Sequence, residues 1–151
     1  MAVALLDVNV LVALFFPDHV HHDIAHDWFA DQRPSGWATC PVTVNGFLRV
    51  ASQQPTEHGL IRPAEALGHL AKLCADRQHQ FWPDSVSLLD AQIFDAAYIT
   101  SHRHVTDVAL LGLAHSNGGV LATFDRHIPY RAVRGASAAS LAVLAPVPSD
   151  D

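Results

Sequence analysis

The segment that decides the fold is HRHVTDVALLGLAHSNGGVLATFDRHIP, residues 102 to 129. It contains an apolar stretch of helical length that starts near Asp107 and stops at the glycine pair 118 and 119, since glycine supplies the left-handed backbone that ends many helices. A short apolar run, Val120 to Phe124, follows and ends at Asp125, and such a run is typical of a strand buried on both faces. The segment therefore predicts a helix that leads into a buried parallel strand, with an aspartate at the start of the helix and another at the end of the strand.

The N-terminus has the same components in the opposite order. Val3 to Leu6 is a short apolar run that ends at Asp7, and Val8 to Phe16 then has helical length before Pro17 stops it. By the same criteria we predict further strands at 37–40, 80–84 and 140–147, and helices at 18–32, 43–52, 63–77 and 87–101.

This alternation of strands and helices predicts the fold class. Parallel neighbours need a crossover helix between them, whereas antiparallel neighbours do not, so the order favours a parallel sheet covered on both faces. We therefore expect an α/β protein with three layers, α/β/α. The length of 151 residues fits one domain that spans residues 1–151.

The composition excludes several classes of protein. A formal net charge of −6, with Lys72 as the only lysine, argues against a nucleic-acid binder that uses a broad basic face. Cys40 and Cys74 belong to no C-x-x-C pair, so neither a disulfide framework nor a thiolate metal site is expected. The apolar N-terminus lacks a basic start and is interrupted by Asp7 and Asn9, which argues against a signal peptide or a membrane span and favours the cytoplasm.

Three aspartates lie where ligands bind in such folds. Asp7 and Asp125 follow strands whose carboxyl ends share one edge of the sheet, and the first turn of the helix that contains Asp107 can reach the same edge. Carboxylates brought together repel each other, and they either take up protons or bind a cation. Mg²⁺ and Mn²⁺ prefer such oxygen ligands and can activate water against a phosphodiester. Each aspartate also has an ordinary structural explanation, as a helix cap, a partner of the helix dipole or a turn residue.

Four segments, in this order, resemble the PIN-domain ribonucleases, and specifically the VapC toxins of bacterial toxin–antitoxin pairs. They are LLDVNVLVALFF, WATCPVTVNGFLRVAS, HVTDVALLGLA and LATFD, and the resemblance extends from Ala4 to about Ile128. It implies a PIN-like fold with a four- or five-stranded, mostly parallel sheet. It also implies a metal-dependent endoribonuclease that cleaves RNA, is neutralised by a small VapB-type antitoxin and forms a homodimer.

The resemblance also implies roles for individual residues. Asp7 matches the first acid of the family, Asp107 the third and Asp125 the fourth, which implies that all three are catalytic and that Asp7 and Asp107 hold Mg²⁺ or Mn²⁺. Asn9 matches a polar residue that is often found two positions after the first acid. Thr123 matches a hydroxyl that can orient a carboxylate or a bound water.

The second acid of the family is missing from this chain. It is a glutamate in a T-x-x-E pattern, and counting from Thr43 places Gly46 at that position. Asn45 offers a neutral oxygen in its place. The departure leaves open whether one metal ion or two are bound, and it allows for a weakened nuclease.

Other functions stay open on the sequence. One is a PIN-like module with weakened catalysis that binds RNA or a protein partner. Another is an aspartyl-phosphate enzyme, which would also place acids at strand ends. A receiver-type site of that class needs a lysine near the acids, and Lys72 is remote from them in the sequence. His22 and His26 have the i, i+4 spacing of a zinc pair but lack the glutamate of an H-E-x-x-H motif. His102 and His104 lie closer to the acids and are better placed to contact phosphate or to move protons. The candidates for RNA contact are Arg49, Arg103, Arg126, Arg131 and Arg134.

Overall fold

Most of the short strands of the main sheet lie within the apolar runs of the sequence. The computed structural model describes residues 2–145, and within that range five strands form one sheet and two form a separate antiparallel hairpin. The strands in chain order are β1 (Ala4–Leu6), β2 (Trp37–Thr39), β3 (Pro55–Thr56), β4 (Gly59–Leu60), β5 (His79–Phe81), β6 (Val120–Thr123) and β7 (Leu141–Val143). The predicted strands at 37–40 and 80–84 are thus confirmed within one to three residues. The predicted strand at 140–147 is observed at 141–143, and its last two residues lie outside the described range.

Five α-helices connect these strands in the described part of the chain. They are α1 (Val8–Phe15), α2 (His22–Gln32), α3 (Pro41–Ala51), α4 (Pro63–Cys74) and α5 (Val105–Ser116). Two of them begin with proline, whose fixed φ suits the first helical position. Gly118 adopts a φ of 71° just beyond α5, which confirms the predicted end of that helix. No helix within residues 2–145 has both the length and the apolar character needed to cross a bilayer.

All neighbouring strands of the five-stranded sheet are parallel, in the order β5-β2-β1-β6-β7. From β1, the chain adds β2 and β5 on one side and β6 and β7 on the other. The strand order therefore reverses between β1 and β6, and in open parallel sheets the crevice at such a reversal is where ligands bind. The predicted α/β class is confirmed, with five strands in the sheet.

The helices cover both faces of the sheet. Successive residues of β1 point to opposite faces. Ala4 and Leu6 pack into a core that includes buried residues of α1, α2, α3 and α4. Leu5 packs into the other core, beneath α5. This gives the three layers that the sequence predicted, with the carboxyl ends of β1 and β6 side by side at one edge.

The predicted helix at 87–101 is wrong. The structure has turns there and a single 3₁₀ turn, Ala96–Tyr98. The side chains of Ser87, Asp90 and Asp95 each accept a hydrogen bond from the backbone N–H two residues ahead. Such local bonds offer the backbone an alternative to the helix, and here the turns prevail over the helical spacing of apolar residues.

Candidate active site

The carboxyl ends of β1 and β6 bring the first candidate residues together. Leu6 of β1 is in register with Ala122 of β6, and the backbone N–H of Asp7 donates to the carbonyl oxygen of Ala122 at 2.9 Å. Asp7 therefore leaves the sheet beside Thr123, the last residue of β6. Asp125 follows two residues later, at the same edge.

The carboxylate of Asp7 is held by two hydrogen bonds. The backbone N–H of Val8 donates to Oδ1 and the hydroxyl of Thr123 donates to Oδ2, each at 2.8 Å. The residue is only 7% exposed. Burial raises the pKa of Asp7 above its usual range, the two hydrogen bonds oppose that rise, and the charge of Asp125 adds to it. Asp7 is thus the N-cap of α1 and, through Thr123, also part of a tertiary contact.

Asp107 lies in the first turn of α5, as predicted. Its Oδ2 is 3.9 Å from Nδ1 of His104. Burial, followed by the charges of Asp7 and Asp125, raises the pKa of Asp107 to about 6, and His104 opposes this shift. The protein therefore places a carboxylate where its ionised form is disfavoured by its surroundings.

Asp125 is held in a turn directly after β6. Its backbone N–H donates to the hydroxyl of Thr123 at 3.1 Å, and its Oδ1 accepts from the N–H of His127 at 2.8 Å. The turn explanation is correct for its backbone, yet its side chain also lies beside other candidate ligands. One ligand atom from each of His104, Asp107 and Asp125 lies within 4.8 Å of the other two. We call these three residues the His-Asp cluster.

Asp7 and Asp107 line one groove of about 390 Å³ at the end of the sheet. His19 and Gln54 line the same groove, and the sequence did not identify either as a site residue. Nδ1 of His19 accepts a hydrogen bond from the backbone N–H of His21 at 3.0 Å, so the nitrogen that remains free to donate is Nε2. His19 precedes His21, His22 and His26 in one histidine-rich segment, and no spacing rule in the sequence placed it beside the acids.

Two buried polar atoms beside the acids have no hydrogen-bond partner within the described residues: Oδ1 of Asn9 and Nδ1 of His104. The amide nitrogen of Asn9 has only a long contact, 3.5 Å, with the hydroxyl of Thr123. Buried polar atoms are normally paired, and two unpaired ones at one edge fit a place where a ligand is held. Carboxylate and amide oxygens with an imidazole nitrogen form a donor set that fits a divalent cation.

Gly46, at the position of the missing glutamate, has no space for a longer side chain. Gly46 is buried in α3, and a Cβ placed there would lie 2.5 Å from Cγ2 of Val8. The neighbouring Asn45 is exposed. The space that a longer side chain would enter is therefore filled by the residue that follows Asp7.

The zinc interpretation of His22 and His26 is not supported by their contacts. Nδ1 of His22 lies 2.7 Å from the carbonyl oxygen of Ala13, and Nε2 of His26 lies 3.1 Å from that of Leu14. These carbonyls belong to the last turn of α1, where the helix leaves acceptors without partners. The pair therefore serves to cap α1 and to join it to α2.

The five arginines considered for RNA contact are all exposed. Arg134 lies 3.7 Å from the carboxylate of Asp95 and donates to the carbonyl oxygen of Ala91 at 2.8 Å, so it stabilises the turns at 87–101. Arg103 and Arg126 directly adjoin members of the His-Asp cluster in the sequence. Of the five, these two are the nearest to the cluster along the chain.

Comparison with known proteins agrees with this architecture. The family model described as PIN domain matches residues 4–134. Ribonuclease VapC44 of Mycobacterium tuberculosis (strain CDC 1551 / Oshkosh) is 45% identical over 141 residues, which cover 93% of this chain and 99% of the relative. Ribonuclease VapC39 of the same strain is 44% identical over 122 residues, or 81% of this chain and 88% of the relative. Ribonuclease VapC38 of Mycobacterium tuberculosis (strain ATCC 25618 / H37Rv) is 44% identical over 122 residues, or 81% and 84% of the two chains. The chain therefore belongs to the PIN-domain family and is one of its VapC-type members.

Proposed function

We propose that this chain is an endoribonuclease that requires a divalent cation and acts in the cytoplasm as the toxin of a VapBC-type toxin–antitoxin pair. The observation that carries the proposal is the proximity of Asp107 to Asp7, with which it lines one groove, and to Asp125, with which it clusters, at the edge where the strand order reverses. Their mutual repulsion is what a bound dication relieves. The similarity to three ribonucleases supports RNA as the substrate.

In this proposal the three aspartates are the catalytic residues, with Asp7 and Asp107 holding Mg²⁺ or Mn²⁺ and Asp125 completing the ligand set. A dication bound there supplies a Lewis acid for the phosphodiester and lowers the pKa of a water molecule. Val8 and Thr123 hold the carboxylate of Asp7 in one orientation, so this ligand needs no rearrangement when RNA arrives. Thr123 also accepts from the N–H of Asp125, and it thus sets the positions of two of the three acids.

RNA must be met locally, because the chain as a whole carries a net charge of −6. Arg103 and Arg126 are exposed on either side of the His-Asp cluster in the sequence, and a guanidinium can bind a phosphate through two parallel hydrogen bonds. His19 offers a neutral donor inside the groove. We propose that these three side chains place the phosphate against the acids.

The proposed partners are a VapB-type antitoxin and a second copy of the chain. Support for a protein partner comes from an apolar groove of about 480 Å³ whose lining includes the half-buried side chains of Phe15, Phe16, Ile61 and Leu73. Partly exposed apolar side chains of this kind are suited to an apolar segment of another protein. Light scattering on the purified chain tests the homodimer, and a mass of one chain would contradict it.

Cleavage of a labelled RNA pool by the purified full chain tests the proposed activity. We expect cleavage with Mg²⁺ or Mn²⁺ and none in EDTA, and we expect Asp7→Asn and Asp107→Asn to abolish it. Asp23→Asn is the matched control, because Asp23 is an exposed acid in the first turn of α2. Cleavage that persists in both folded active-site variants, or in EDTA, would refute the proposal. Expression of the chain alone should arrest growth, and the same two substitutions should relieve the arrest.

A catalytically weakened module that binds RNA or a protein partner is the second candidate. The observation that favours it is Gly46, where Val8 fills the space of the absent glutamate. Such a module would bind RNA but leave it intact with either cation, and cells would tolerate its expression. The aspartyl-phosphate alternative gains nothing from the structure, since Lys72 is exposed on α4 and does not line the groove.

A further inference from the structure

His104 lies in the 3₁₀ turn His102–His104 that leads into α5, and the proposed mechanism assigns it no function. Its side chain is 24% exposed, but the Nδ1 atom is fully buried and has no hydrogen-bond partner within the described residues. This nitrogen lies 3.9 Å from Oδ2 of Asp107, and His104 forms a cluster with Asp107 and Asp125. A polar atom in such a position requires a physical explanation.

An ordinary ion pair does not account for this arrangement. The separation of Nδ1 and the nearer carboxylate oxygen of Asp107 is 3.9 Å, which is too long for a hydrogen bond. A histidine kept only to neutralise Asp107 would be expected to donate to it directly at about 2.7–2.9 Å. The side chains instead leave a gap between Nδ1 of His104 and the carboxylate oxygen of Asp107.

The size of the gap suits a metal ion. Ligand bonds to small dications measure about 2.1 Å, so two ligand atoms of one ion lie at most about 4.2 Å apart. The 3.9 Å between His104 and Asp107 is within this limit. The full set, which lies within 4.8 Å, needs side-chain adjustments of only a few tenths of an ångström.

We propose that Nδ1 of His104 is a nitrogen ligand of the metal centre, and that it makes the site select Mn²⁺ over Mg²⁺. The proposal rests on the proposed metal-dependent nuclease and specifies its ion. Mg²⁺ is a hard ion that prefers an all-oxygen shell, whereas imidazole binds first-row transition dications more strongly. Mn²⁺ also accepts carboxylates and water in an octahedral shell, so the difference between these two ions isolates the contribution of the nitrogen.

The absent glutamate makes this ligand set reasonable. With Gly46 in α3, the site has three carboxylates, and like charges that lie this close repel each other. A neutral imidazole adds a fourth ligand without a fourth negative charge. Histidine therefore supplies coordination where another acid would add to the repulsion.

Metal titration of the full chain tests the proposal, with His104→Gln as the variant and His102→Gln as the matched control. His102 is exposed, lies in the same 3₁₀ turn and is outside the His-Asp cluster. Calorimetry should show tighter binding of Mn²⁺ than of Mg²⁺ by the unaltered chain. His104→Gln should weaken Mn²⁺ binding by roughly 10-fold or more, since even loss of an outer partner costs about 10- to 100-fold. Its Mg²⁺ affinity should change little, and His102→Gln should leave both affinities unchanged.

Pulsed electron paramagnetic resonance of bound Mn²⁺ gives a second readout that does not depend on activity. The unaltered chain and His102→Gln should show the ¹⁴N coupling of a coordinated imidazole, and His104→Gln should lack it. Bound Mn²⁺ without that coupling, or an unchanged ratio of the two affinities in His104→Gln, would overturn the proposal and leave the metal-dependent nuclease intact. RNA cleavage in EDTA, with neither ion bound, would overturn both.

Discussion

Replacing Asp107 by asparagine should stabilise the metal-free protein at pH 8, although it removes a proposed catalytic residue. Burial and the neighbouring acids raise the pKa of Asp107 from 3.8 to about 6. A raised pKa in the folded state means that the folded chain holds this proton more tightly than the unfolded chain, so ionisation opposes folding. The destabilisation therefore appears as the pH rises above 3.8 and is complete above about pH 6.

The magnitude follows from the difference between the two pKa values. A rise of about two pH units corresponds to about 3 kcal/mol. Because 22% of the Asp107 side chain is exposed, solvent screening reduces this to roughly 1 to 2 kcal/mol. Asparagine also loses a favourable charge at the start of α5, which is worth about 0.3–1 kcal/mol. The expected net gain is about 1 kcal/mol, or roughly 2–4 °C in the midpoint of thermal unfolding.

Thermal or urea unfolding in EDTA measures this gain across the range from pH 4 to pH 8. Asp23→Asn serves as the control, since it removes an exposed acid from the first turn of α2 and so loses only the helix charge. The advantage of Asp107→Asn should be largest at pH 8 and shrink towards pH 4. Added Mn²⁺ should reverse the order, because only the unaltered chain keeps every ligand. If Asp107→Asn were no more stable than the unaltered chain at pH 8 in EDTA, the reasoning about mutual repulsion would be wrong.

Gly46→Glu alone should destabilise the protein, because its Cβ would meet Cγ2 of Val8 at 2.5 Å. Adding Val8→Ala should recover stability and tighten Mn²⁺ binding in calorimetry relative to Val8→Ala alone; equal affinities would show that the position is remote from the metal. Asp76→Asn should lower the free energy of unfolding at pH 7, since hydrogen bonds from Arg33 and from the Trp37 indole help to hold the pKa of Asp76 at about 2. Because that pKa is depressed, its stabilisation is present above pH 3.8 and fades as the pH falls towards 2, and a loss independent of pH would contradict this account.

The sequence was sufficient to place the three aspartates along the elements. Uninterrupted apolar runs identified β1 and β6 because a strand covered on both faces has no polar side. Asp7 and Asp125 follow those runs directly, and Asp107 follows from the start of the apolar helix. Since parallel strands end at a common edge, position along the chain alone predicted that these acids would approach one another.

The spacing of apolar residues gave a wrong prediction for 87–101. The structure of this segment depended on local side-chain hydrogen bonds that compete with a helix, and on packing against other elements. Phe94 has the spacing of a helix residue, yet it is buried against α5 and its backbone pairs with that of Val133. Gly112 of α5 leaves room for this ring, since a Cβ there would overlap it. Periodicity reports which residues are apolar, but it does not report which surface will receive them.

By itself, the sequence determined the order of the strands and helices and the type of residue at each end, because these depend on local patterns of polarity. Only the tertiary structure decided the contacts between distant residues. It joined Thr123 to Asp7 across 116 positions, filled the space at Gly46 with Val8, and left Nδ1 of His104 3.9 Å from the carboxylate of Asp107. Charge repulsion and burial act through space rather than along the chain, so the raised pKa of Asp107 and the proposed ligand set around it exist only once the strands have paired.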